Sequence, residues 1–148
     1  MDDLLRLVDE QGLRLIERPG RTLGGYDHVS RSIRLAPGMS ARTMRSVLAH
    51  ELGHAALGHT VTTDAALRRR QERQADAWAA RLLITPAAYA AAEALRGTHH
   101  ASLAFELGVT IELVIAFQDL LQRSGGTTSL GPRMGAHQWA QRFAAAGA

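Results

Sequence analysis

Apolar positions along this chain recur at two spacings, and the change between them marks out the elements. Residues 3–11 ("DLLRLVDEQ") place Leu4, Leu7 and Val8 on one face of a helix that Gly12 ends. The spacing then shortens to alternation over residues 13–18, 24–30 and 31–37, with breaks at Pro19-Gly20 and near Ser30-Arg31. Alternation with short turns predicts a small antiparallel three-stranded meander. Helical spacing returns after Ser40, a residue suited to cap a helix N-terminus. Met44, Val47, Leu48, Leu52 and Ala55 form the apolar stripe of this helix, and Gly58 is its stop. A second long helix is expected over residues 64–83, capped by Asp64, with Ala66, Leu67, Ala75, Trp78, Ala79, Leu82 and Leu83 turned toward the core. Thr85-Pro86 restarts the chain as cap and first helical residue, and residues 86–96, 101–107 and 111–123 continue with helical spacing. Residues 124–132 ("SGGTTSLGP") read as a flexible break before a weak terminal helix. The fold class is therefore α+β: a small antiparallel three-stranded sheet packed on a mostly helical body. One domain is expected over residues 1–123, followed by a break and tail over 124–148.

Composition narrows the chemistry more than the fold. Hydrophobic residues make up 46% of 148 residues, enough for a core without covalent staples. The absence of cysteine excludes disulfides and thiolate metal sites, so any metal must be held by nitrogen and oxygen. The first 20 residues carry charges throughout and do not resemble a secretory signal, and no apolar run is long enough to span a bilayer. The expectation is a soluble cytoplasmic protein with no membrane association. All 17 basic residues are arginine, yet the net charge is only +3, which does not by itself point to nucleic acid.

The stretch "VLAHELGHAALGH" (47–59) carries the strongest chemical signal. Positions four apart on a helix stand one turn apart and about 40° around the axis. His50 and His54 can therefore aim their imidazoles at one ion, while Glu51, rotated by about 100° from His50, is better placed to reach a water there. A hydrolytic site needs a third protein ligand and an open position. A histidine ten residues after His50, as in metzincins, is excluded because Thr60 stands there and Leu57 replaces the glycine that pattern needs. Glu72, within "ERQADAW" (72–78), is the preferred third ligand, since eighteen residues after His54 leave enough chain for a second helix to return beside the first. Asp76 lies one turn on and can accept a hydrogen bond from the far nitrogen of a ligating histidine. The plain alternative is that Glu72 and Asp76 are solvated acids paired with Arg68, Arg69 or Arg73. His59 and the His99-His100 pair remain further candidates.

Three blocks, "LAHELGHAALGH", "ERQADAWAARLLITP" and "LAFELGVTIELVIAFQDL", resemble in order the ImmA/IrrE family of metallopeptidases over about residues 22–121. The first two blocks together are specific; the third is generic. Trp78 stands where phenylalanine is commoner, and "LLITP" carries one residue more than the usual "LLMP". The resemblance implies a zincin-like fold and a gluzincin-like Zn2+ site, with His50, His54 and Glu72 as ligands and Glu51 as general base. Asp76 matches the family's acidic or amide position after alanine, and His59 matches the histidine of its "LGH", whose role the resemblance does not fix. The oxyanion donor is left open among His59, Tyr26 and a loop histidine. Members typically cleave or regulate transcriptional repressors of phages and mobile elements. The resemblance thus implies a repressor as protein substrate, with any weak association with DNA arising through a repressor complex. Residues 32–36 ("SIRLA") are a candidate edge to which an extended substrate could add. Two other function classes stand beside this one. A DNA-associated regulator with structural zinc would use "RRRQER" (68–73) and the segment after Ser102, although "TIELVIAFQDLLQ" is mostly apolar. A degenerate peptidase acting as a binding module is argued against by the intact Glu51.

Overall fold

A computed structural model describes residues 1–125. In chain order it contains α1 (Asp2–Glu10), β1 (Arg14–Glu17), β2 (Gly24–Asp27), β3 (Ser32–Leu35), α2 (Ala41–Ala56), α3 (Ala65–Leu83), α4 (Pro86–Arg96), α5 (His100–Leu107) and α6 (Ile111–Ser124). The helical body and small sheet give the expected α+β class. The break and terminal helix expected beyond Ser124 lie almost wholly outside the described residues. The chain forms two compact units, Met1–Ala79 and a second beginning at Ala80, with the boundary inside α3.

The sheet departs from the expected meander. Its order is β1-β3-β2, with β1 parallel to β3 and β2 antiparallel to it, so the sheet is mixed. Pro19-Gly20 does not make a hairpin turn; residues 18–23 instead carry the chain past the position that β3 later fills. Arg34, on the central strand, ties this crossing segment down. It donates to the carbonyl oxygens of Arg18 (3.0 Å), Thr22 (2.8 Å) and Gly24 (3.1 Å) and to the Thr22 hydroxyl (2.9 Å). Gly20 lies so close to the guanidinium that a Cβ there would sit 2.6 Å from Arg34 Cζ. Alternation alone could not reveal this, because a parallel and an antiparallel neighbour leave the same period of two. β3 is consequently paired on both sides, which removes residues 32–36 as an edge for substrate; the edges are β1 and β2.

In the first unit, Ile33 and Leu35 of β3 are buried with Leu48, Ala49, Leu52 and Ala55 of α2 and with Leu4 and Val8 of α1. The α2 N-terminus is capped as expected, the Ser40 hydroxyl accepting from the Thr43 amide. Its other end closes on Gly58, at φ +67°, with Gly58 N–H donating to Ala55 O and His59 N–H to His54 O. That Schellman arrangement requires the left-handed conformation glycine adopts without strain, and it folds His59 back over the last helical turn. α3 starts at Asp64, whose carboxylate accepts from the amides of Ala66 and Leu67. The contact face of α3 is narrower than expected. Ala75 and Ala79 are fully buried, but Leu67 and Leu82 are 42% and 39% exposed.

In the second unit, the Thr85 hydroxyl caps α4 and Pro86 opens it. Tyr89 and Phe117 pack with ring centroids 5.1 Å apart and planes tilted by 41°, and Gln118 donates to the Tyr89 hydroxyl. α6 buries Leu113, Val114, Phe117, Leu120 and Leu121. No single described helix is long and apolar enough to cross a membrane.

Candidate metal centre

The site is built by one close approach of two helices. A Cβ on Gly53 of α2 would lie 3.0 Å from the Ala75 carbonyl oxygen and 3.3 Å from Trp78 Cβ of α3, so only a glycine lets the backbones meet this closely. The approach brings the α3 residue one turn before Asp76 up to the histidine face of α2. His50 Nε2 and His54 Nε2 are 3.0 Å apart, and each lies 3.2 Å from a Glu72 carboxylate oxygen. Among the described residues, His50, His54 and Glu72 are the group of histidine and acidic side chains whose ligand atoms converge as a metal site would need. The chemistry of the donor set fits a small divalent cation. Bonds of about 2.0–2.1 Å to a tetrahedral zinc place neighbouring ligand atoms about 3.3 Å apart, close to the spacing found here. The pair of nitrogens and one carboxylate are also what zinc accepts in a hydrolytic site.

Both imidazoles are held from behind. His50 Nδ1 meets Asp76 Oδ1 at 2.7 Å. His54 Nδ1 meets His59 Nδ1 at 2.9 Å, and His59 Nε2 reaches Gln74 Oε1 at 3.0 Å. The histidine side chains at 50 and 54 are only 18% and 12% exposed, whereas Glu72 is 54% exposed, so the cluster opens to solvent on the Glu72 side.

The electrostatics follow from this crowding. Burial opposes a charge on His50, but hydrogen bonds to Asp76 and Glu72, with the fields of Asp76 and Glu51, outweigh it and lift its pKa to about 10. Glu72 is held well below the usual carboxylate range by its hydrogen bonds to His50 and His54. Burial pushes Glu51 up, partly offset by His50 and His54. His59 is pushed down, first by burial, which keeps its imidazole neutral.

Glu51 is buried beside the cluster and is not one of its converging ligands. β2 packs directly on it: a Cβ at Gly24 would stand 2.8 Å from Glu51 Oε1 and 2.5 Å from Val47 Cγ1. Tyr26 lies on the same β2 face, but its hydroxyl is engaged by Arg31 (2.8 Å) and His28 (2.9 Å) and does not join the cluster. His99 is the N-cap of α5, its ring bonded to the Ser102 hydroxyl within the second unit.

The family model of Peptidase_M78, the IrrE N-terminal-like domain, matches residues 8–117. The chain belongs to this family. As an IrrE N-terminal-like domain it has a metallopeptidase-type function, in agreement with the resemblance its motifs carry. No curated protein and no solved structure gives a significant match. Three residues of this IrrE-like site were not singled out in the sequence: Gly24, Gly53 and Gln74. Gly53 lies inside the motif and could have been suspected as a place of close approach, since glycine within a helix needs such a reason. Gly24 and Gln74 carry no local signal.

Proposed function

We propose that this chain is a zinc-dependent endopeptidase acting on a protein substrate, expected to be a transcriptional repressor of a phage or mobile element. The observation that carries this reading is the convergence of His50 Nε2, His54 Nε2 and the Glu72 carboxylate beside a buried Glu51. His50, His54 and Glu72 would hold the ion, each imidazole kept in place by the partner on its far nitrogen. When bound, zinc would supply a Lewis acid that acidifies water and polarises a peptide carbonyl. Glu51 performs the proton transfer, taking a proton from the attacking water and delivering it to the departing amine. Its raised pKa suits both halves of that task, since a base that is too weak could not accept and one too strong could not release. Gly24 fixes where the carboxylate rests.

An extended substrate would add to the free edge of β2, whose first residue lies against Glu51, so that main-chain pairing carries the scissile bond past the base. A repressor substrate puts the reaction in the cytoplasm, and any contact with DNA would come through the repressor. Incubation with the repressor encoded beside this gene, with and without chelator, tests the proposal by fragment mass. Cleavage that chelator prevents and that Glu51→Gln abolishes supports it. Cleavage by Glu51→Gln at the parental rate overturns the role of the base.

A further inference from the structure

His50 and His54 are not oriented by the same chemistry. Behind His50 stands a carboxylate, Asp76, which can only accept a hydrogen bond when ionised. Behind His54 stands another imidazole, His59, which can present either a donor or an acceptor at Nδ1. A neutral imidazole at that position does not by itself dictate which nitrogen of His54 carries the proton. Something further out has to decide.

We infer that Gln74 is a positioning residue that sets the tautomers of His59 and, through it, of His54, leaving His54 Nε2 bare to face a cation. Three contacts link Gln74 to His54 Nε2, given the metal-site reading above. For His54 Nε2 to ligate, its proton must reside on Nδ1, which then donates to His59 Nδ1 across 2.9 Å. His59 Nδ1 must accept, so the His59 proton resides on Nε2. That N–H requires an acceptor, and Gln74 Oε1 stands 3.0 Å away. Turning the Gln74 amide to offer its NH2 would reverse every step. His59 Nε2 would accept, His59 Nδ1–H would donate to His54 Nδ1, and the proton on His54 would move to Nε2, where it blocks the ligand lone pair. One amide orientation out of two is thus compatible with metal binding.

The backbone supports the same geometry from the other side. The turn at Gly58 directs the His59 amide onto the His54 carbonyl, so His59 is anchored to the residue whose ring it contacts. Gln74, on α3 two residues after Glu72, comes from the same helix as the carboxylate ligand. One helix therefore supplies a ligand, the partner behind His50 and, at one remove, the partner behind His54.

The test uses the full chain and two readouts, zinc affinity by competition with a chromophoric chelator and, in the zinc-free chain, histidine tautomers by long-range 1H–15N correlation. In the parental protein His59 should be the Nε2–H tautomer and His54 the Nδ1–H tautomer. Gln74→Met keeps length, neutrality and helix propensity at an exposed position, so folding should be unaffected. It should lower zinc affinity about 3- to 10-fold, below the 10- to 100-fold usual for partners in direct contact with a ligand. It should also give His59 a mixture of tautomers. In a His59→Phe background the same change should have no effect on affinity, because Gln74 acts only through His59. A parental His59 in the Nδ1–H form, or a Gln74→Met protein with parental affinity and tautomers, overturns the inference while leaving the zinc site standing. Failure of the parental chain to bind zinc overturns the site and the inference together.

Discussion

Gly53 of α2 and Ala75 of α3 touch backbone to backbone: a Cβ on Gly53 would lie 3.2 Å from Ala75 Cα and 3.0 Å from its carbonyl oxygen. This contact sets the separation of the two helices at the level of the His50–His54–Glu72 group, since Glu72 and Asp76 flank Ala75 on α3 and His50 and His54 flank Gly53 on α2. Alanine is the better helix former by about 1 kcal/mol, so an isolated helix would gain from the exchange. In the folded chain the added methyl meets main chain that cannot swing aside. Gly53→Ala is expected to lower stability by about 1–3 kcal/mol, the usual cost of overpacking, and to weaken zinc binding by displacing Glu72. Denaturant melts and chelator competition on the same variant measure the two effects.

Asp76→Ala removes the acceptor behind His50 without touching a ligand. The ring loses its 2.7 Å hydrogen bond and is free to rotate or to place its proton on Nε2. Zinc affinity should fall about 10- to 100-fold, with less loss for Asp76→Asn, which can still accept through its amide oxygen. Equal losses in the two variants would show that charge, and not orientation, is what Asp76 contributes.

How far these relationships were legible depends on whether they are local. His50, Glu51 and His54 follow from the helical repeat, and Asp76 follows from Glu72 by the same four-residue step. The caps at Ser40, Asp64 and Thr85 are equally local, because a side chain two or three residues away satisfies the orphan amides. What could not be read is set by chain crossings. The parallel pairing of β1 with β3 depends on residues 18–23 passing over Arg34, and nothing in an alternating pattern encodes that passage. Leu67 and Leu82 have the right helical spacing to be core, yet they are substantially exposed, because the buried face of α3 is narrowed to Ala75, Ala79 and Ala80. Gly24 matters only because β2 lands on Glu51, and Gln74 only because Gly58 turns His59 toward it.

Gly24→Ala tests the landing of β2. Its methyl would fall 2.5 Å from Val47 Cγ1 and 2.8 Å from Glu51 Oε1, so the carboxylate must move or the strand must lift. None of the three converging ligands is displaced directly. Zinc affinity should therefore stay near the parental value while kcat falls by about 10- to 100-fold, the scale on which a misplaced group near the reacting atoms acts. A parallel loss of zinc affinity would show instead that the strand supports the whole cluster.

The stability of the chelated protein should depend on pH in a direction fixed by His50. Its pKa in the folded chain is about 10, against an ordinary 6.5. Below about pH 6.5 both folded and unfolded chains hold this proton, and the full stabilisation by Asp76 and Glu72 is present. Between 6.5 and about 10 the unfolded chain has lost the proton and the folded chain still binds it, so stability declines as pH rises through this window. Glu51, with its raised pKa, leans the same way at lower pH. Saturating zinc removes the dependence on His50, because the ion takes the place of the proton and binds more readily as pH rises. Thermal melts from pH 6 to 10 with chelator should therefore slope downward, and melts with excess zinc should be flat or slope upward over the same range. Parallel slopes in the two series would mean that the cation and the His50 proton do not compete, and that His50 is not where the metal sits.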